Sequence, residues 1–164
     1  MANRLTLILF LFLVSSLNCI HAADVTRTLY GISLGEDLDS LVGEKIRQIG
    51  IVKIKGVETE RYSLDTSVYK IDAPFTLLFV QVDKSTRKII GVMAMTKMLY
   101  EECSLASEQL KEKIKISNGL KFTELEHQGD SFYILEESSS FLAVGCQSKQ
   151  GTVLQYQIGV SSLK

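Results

Sequence analysis

The chain has no tryptophan, a single proline at Pro74, and only two histidines, His21 and His127. With one proline, no low-complexity stretch and no long charge block, it lacks the composition of a disordered tail. With so little histidine, no C-x-x-C pair and no acidic loop at calcium-site spacing, no metal site is expected. Lysine and arginine number 18 against 19 acids, for a net charge of −1. The basic excess that would hold nucleic acid is therefore missing, and no nucleic-acid partner is expected. No P-loop or dinucleotide fingerprint occurs, so no cofactor is expected.

What is present begins with an address. Arg4 gives a short positive start, residues 5–14 are almost wholly apolar, and Ile20-His21-Ala22-Ala23 supplies small residues. This is the layout of a secretory signal peptide over residues 1–22, cut after Ala22 or one residue later. The apolar run is shorter than the roughly 20 residues that a bilayer core requires, so no membrane span is expected after cleavage. Cys19 follows Asn18, a poor residue for a lipobox. Residues 23–164 are read as a single exported domain, periplasmic or secreted, that keeps two cysteines, Cys103 and Cys146. In an exported chain an even pair is first a disulfide.

Hydrophobic periodicity predicts a helix over 36–49, from Leu38, Leu41, Val42 and Ile49, with Gly50 as its stop. Strands follow over 51–55, 57–64, 75–82 and 89–96. The run FTLLFVQV is apolar on both faces, which places it centrally. A second helix spans 103–117, with Cys103, Ala106, Leu110 and Ile114 along one side. Four more strands are expected over 120–126, 131–136, 141–147 and 152–160. The fold class is therefore α+β: an antiparallel sheet with helices packed on one face, arranged as two tandem α-β-β-β-β units over 29–97 and 100–161. Cys103 lies on the helix's apolar stripe, and Cys146 shares a strand face with Leu142 and Val144. Both sulfurs then belong to one core layer, and a bridge would pin helix to sheet.

Two groups invite a catalytic reading. Gly31-Ile32-Ser33-Leu34-Gly35 matches G-x-S-x-G, the motif around many hydrolase nucleophiles. A nucleophile elbow needs a buried strand before the serine and a parallel sheet behind it. Here few residues precede Ser33 and the later strands are joined by hairpins. Cleavage would also leave His127 as the one histidine, in a polar turn. Cys103 at a helix start could form a thiolate, but Glu101 and Glu102 oppose it and Cys146 competes for the sulfur. A small hydrolase using Ser33 or Cys103 stays an alternative, as does a small-ligand carrier with a pocket between helix and sheet. No catalytic residue is assigned.

The stretch LYGISLGEDLDSLVG, residues 29–43, resembles the opening of certain small exported bacterial proteins: aromatic-Gly-aliphatic-x-aliphatic-Gly, then a helix. The doubled α-β-β-β-β order is similar to β-lactamase-inhibitor-protein-like folds, and in part to small outer-membrane assembly lipoproteins. The resemblance implies binding to another exported or envelope protein across an open sheet face, without catalysis. It carries no functional residue over. From the strand alternation, that open face would hold Gln155 and Gln157, with Phe141 beside them and, in one register, Tyr133. Intact mass of natively exported protein should equal residues 23–164 less two hydrogens. A mass that retains residues 1–22 would overturn the export reading.

Overall fold

The computed structural model describes residues 25–41, 46–54, 56–127, 130–148 and 151–161. The signal-peptide reading of 1–22 lies outside them. A short hairpin of β1 (Thr28–Leu29) and β2 (Ile32–Ser33) leads to a 3-10 turn at Leu38–Ser40. Then come β3 (Ile46–Ile54), β4 (Val57–Leu64), β5 (Leu77–Asp83) and β6 (Ile89–Lys97). Helix α1 (Tyr100–Asn118) precedes β7 (Thr123–His127), β8 (Asp130–Glu136), β9 (Ser140–Gln147) and β10 (Val153–Val160). One antiparallel sheet takes eight strands in the order β3-β4-β5-β6-β10-β9-β8-β7. It consists of two four-stranded meanders whose last strands, β6 and β10, pair with each other.

Register separates the two faces. Leu154, Tyr156 and Ile158 stand opposite Thr96, Ala94 and Val92 on one side, and opposite Cys146, Val144 and Leu142 on the other. Leu78, Val80 and Val82 continue the same face across β5, and nearly all of these side chains are buried. Two covers lie over this face. Helix α1 packs on β9 and β10, with Cys103, Ser107 and Ile114 buried along its inner side. Glu102 reaches back to the Leu99 N–H at 3.4 Å, and Gly119, at φ 67°, ends the helix in the left-handed conformation. Residues 29–41 cover the first meander with Leu29, Ile32, Leu34, Leu38 and Leu41. They are held by backbone bonds from Gly35 N–H to Ile89 O (2.8 Å) and from Ile89 N–H to Glu36 O (2.9 Å).

The expected helix over 36–49 is not what forms. Leu38 and Leu41 are both buried, but a single 3-10 turn meets their spacing. From Ile46 onward the chain is a strand. Ile46, Ile49, Ile51, Val52 and Ile54 are β-branched, stiff at χ1 and better suited to a pleated surface. Gly50 is no helix stop; it sits where β3 slips register against β4. The first meander is thus covered by a hairpin and a turn, and among the described residues α1 is the one long helix. It is not long and apolar enough to cross a membrane.

The disulfide joins Cys103 to Cys146, 43 positions apart in sequence, with Cα atoms 6.0 Å apart. It ties α1 to β9 through the core. Chain-entropy theory puts a bridge of this loop length at about 4 kcal/mol. The double variant Cys103→Ser/Cys146→Ser should lose up to that much in urea unfolding, with helix content retained. An unchanged midpoint would mean that packing alone holds the helix.

Candidate functional site on the uncovered sheet face

The face opposite α1 is covered by no described element, yet it is not polar. Cross-strand register lays its side chains in rows. One row runs Arg61, Gln81, Gly91, Gly159, Phe141 and Glu136, from β4 to β8. The next runs Phe79, Met93, Gln157, Ala143 and Ile134. A third holds Leu77, Met95, Gln155, Gly145 and Phe132. In a flat sheet Arg61 and Glu136 would stand about 24 Å apart. Both nevertheless line one cavity of about 360 Å³, together with Ile54 of β3. The sheet is therefore curled, with α1 on its convex side and these rows on its concave side.

Glycine shapes the floor. Gly91 faces Gly159 across the β6–β10 pairing, so neither of these two central positions raises a side chain of its own. A Cβ at Gly159 would lie 2.7 Å from Phe141 Cε1, because that ring lies over the glycine. Phe132 lies over Gly145 in the same way, at 2.6 Å. A Cβ at Gly91 would meet Gln81 Cβ and Ile158 O at 3.5 Å, an ordinary contact. The cavity thus opens above Gly91, with Phe79 and Met93 on one side and Ile134 and Phe141 on the other.

Most polar groups of this face are satisfied within the sheet. Gln81 Nε2 donates to Thr59 Oγ1 at 2.7 Å, and Thr59 Oγ1 donates to Val52 O at 2.7 Å. Gln155 Nε2 donates to Gln147 Oε1 at 2.6 Å. Among the buried ones Arg61 is the exception: its Nε has no hydrogen-bond partner among the described residues. Glu136 is exposed at the far wall.

Of the residues expected on this face, Phe141 and Gln157 line the cavity. Gln155 is on the same face but buried at 7 % exposure and occupied with Gln147. Tyr133 belongs to the other face: it stands opposite Val144, its hydroxyl donates to Glu108 of α1, and Lys111 Nζ sits 4.0 Å from its ring centroid. Burial first, then Glu108, pushes the Tyr133 hydroxyl well above its usual range. Hydrogen bonds from Lys111 and Tyr133 hold Glu108 below its own. Sequence reasoning missed Arg61, Gly91, Gly159, Phe79, Met93 and Ile134. The available signal was FTLLFVQV itself, apolar on both faces with one helix layer to hide only one of them.

The two catalytic candidates are not brought together. Cys103 is bonded to Cys146 and has no free thiol. Ser33 Oγ lies 3.1 Å from Thr28 Oγ1 across a two-residue hairpin whose turn, Tyr30-Gly31, has φ of 52° and 79°. That turn requires positive φ twice, which accounts for the first glycine of the motif. Ser33 packs beside β6, whereas His127 is on edge strand β7, four strands away. Among the described residues no three His, Cys, Asp or Glu side chains group closely enough to hold a metal.

A second cavity of about 350 Å³ lies where α1, the β1–β2 hairpin and the Pro74 turn meet the sheet. Tyr30 and Tyr156 meet edge to face there, with centroids 6.4 Å apart. Burial pushes the Tyr156 hydroxyl up to about 12; burial, then Asp72 and Tyr156, raise Tyr30 to about 12. No family model, curated protein or solved structure matches the chain.

The unfolded chain ionises these tyrosines near pH 10, and the folded one does not until near pH 12. Stability from this pair is complete below pH 10 and declines as pH rises toward 12. Tyr156→Phe should make that decline shallower in urea midpoints taken across the window. An identical slope would mean that Tyr156 ionises freely in the fold.

Proposed function

We propose that the chain is a non-catalytic binding module that works outside the cytoplasm through the concave face of its sheet. One observation carries this reading: aromatic, aliphatic and methionine side chains line a cavity on a face that no described element covers. Uncovered apolar concavities of this kind mark binding surfaces more often than solvent faces. The favoured partner is another exported or envelope protein, with the chain as inhibitor, immunity protein or envelope assembly factor. The disulfide supports an oxidising compartment. Two meanders that each place their last strand at the sheet centre support reading 29–97 and 100–161 as tandem units and the likeness to β-lactamase-inhibitor-protein-like folds. In that reading the first unit has exchanged its helix for the hairpin and turn.

A second reading, a small-ligand carrier, is favoured by the cavity volume, which falls in the range of roughly 300–1,000 Å³ typical of ligand sites. The cavity where α1 meets the hairpin has a similar volume, and the apolar walls of Phe79, Met93, Ile134 and Phe141 favour the concave one as the site.

Crosslinking in the native envelope fraction tests the protein-partner reading. Met93→Arg puts a charge on the floor of the face, and Leu105→Arg puts one on the solvent side of α1, where Leu105 is 61 % exposed. A partner captured by wild type should persist with Leu105→Arg and fall at least tenfold with Met93→Arg. Loss with Leu105→Arg alone would move the site to the helix. Labelling of Ser33 by a serine-reactive probe would reverse the non-catalytic assignment.

A further inference from the structure

Resting on the carrier reading of the concave cavity, we propose that its ligand is a small amphiphilic carboxylic acid. Its apolar body lies in the trough above Gly91, beside the Phe141 ring that covers Gly159, and its carboxylate accepts from Arg61. Three observations converge on this. The cavity holds about 360 Å³, near the low end for ligand sites, so it suits a single short chain and excludes a two-chain lipid. Its walls next to the trough are Phe79, Met93, Ile134 and Phe141, all apolar and all half-buried without a partner layer. At one end, Arg61 Nε is a buried donor with no acceptor among the described residues. Buried polar groups left unpaired are rare and costly, and a bound acceptor is one way to satisfy this one.

The charges set a direction. Arg61 stands at the β4 end of the glycine row and Glu136 at its β8 end. Gln81, between Arg61 and Gly91, has its amide committed to Thr59. An anionic head is attracted to the Arg61 end and repelled from the Glu136 end, so the acid enters in one orientation. A guanidinium answers a carboxylate with two parallel donors. An alcohol of the same chain length offers one weaker acceptor.

Decanoate and decanol are the probes, titrated calorimetrically into the mature disulfide-bonded protein. Decanoate should bind at least tenfold more tightly than decanol. Arg61→Met should bring decanoate down to the decanol level and leave decanol unchanged. Gly91→Leu should abolish both by filling the trough. Gly91→Ala, whose added methyl meets only ordinary contacts, provides a folded variant that weakens both. Equal affinities for the two probes, or decanoate binding indifferent to Arg61→Met, would overturn the carboxylate assignment while leaving the carrier reading intact. Failure of both probes to bind wild type would overturn the carrier reading itself and return the face to a protein partner.

Discussion

Seven antiparallel residue pairs between β6 and β10, from Val153 opposite Lys97 to Gly159 opposite Gly91, hold the molecule together as one sheet. Each meander alone would expose a long open edge and could bury one side of only four strands. Pairing their last strands converts two edges into a centre. It also aligns Val92 and Ala94 with Ile158 and Tyr156, so one continuous apolar face spans both halves. The pairing is non-local, and non-local contacts repay loop-closure entropy only late in folding. The Cys103–Cys146 bridge shortens the effective loop on the second half, and Met98 N–H extends the seam by donating to Thr152 O at 3.1 Å.

The same seam explains the concavity. Gly91 and Gly159 meet at the end of the pairing, where β5 and β6 slip register beside Gly91. A bulge bends its strand, and glycines at the bend remove the side chains that would crowd the inner face. Phe141 and Phe132 lie over Gly159 and Gly145, filling what the glycines leave and keeping the inner face apolar. Both rings are half-buried there without a second layer. That lowers the cost of an uncovered apolar face but does not remove it.

Much of the fold was legible in local pattern. The alternation of Leu154, Gln155, Tyr156, Gln157 and Ile158 identifies the faces of β10 directly. The disulfide followed from two periodicities, helical at Cys103 and alternating at Cys146, that agreed on one layer. The strand expected from residue 51 in fact starts at Ile46; residues 46–50 were hidden because Leu38, Leu41 and Ile49 fit a helical spacing by coincidence, and only β-branching argued otherwise. Tyr133 was ambiguous because Phe132, Tyr133, Ile134 and Leu135 are apolar on both parities. Only pairing with β9 fixes which pair turns inward. The site was least legible of all. In VETERYSL, Arg61 reads as one more solvent-facing charge. It becomes part of a cavity only when β4 pairs with β5 and the sheet curls until β8 shares its space.

The covered core and the proposed binding surface thereby lie on opposite sides of one sheet. The convex side carries the disulfide, both covering segments and the fully buried side chains Leu78, Val80, Val82, Val92, Leu142 and Ile158. Its buried polar groups are paired, as with Thr26 Oγ1 and Ser140 Oγ at 2.7 Å. The concave side carries the half-buried methionine and phenylalanine side chains and the one buried side-chain donor without a partner among the described residues. An unsatisfied donor costs on the order of 1–3 kcal/mol, a burden that a convex core of this extent can bear. Because the two faces alternate residue by residue along every strand, the inner one can keep a feature that is unfavourable in the free protein. In the proposed complex that donor gains its hydrogen bond from the carboxylate of the bound acid.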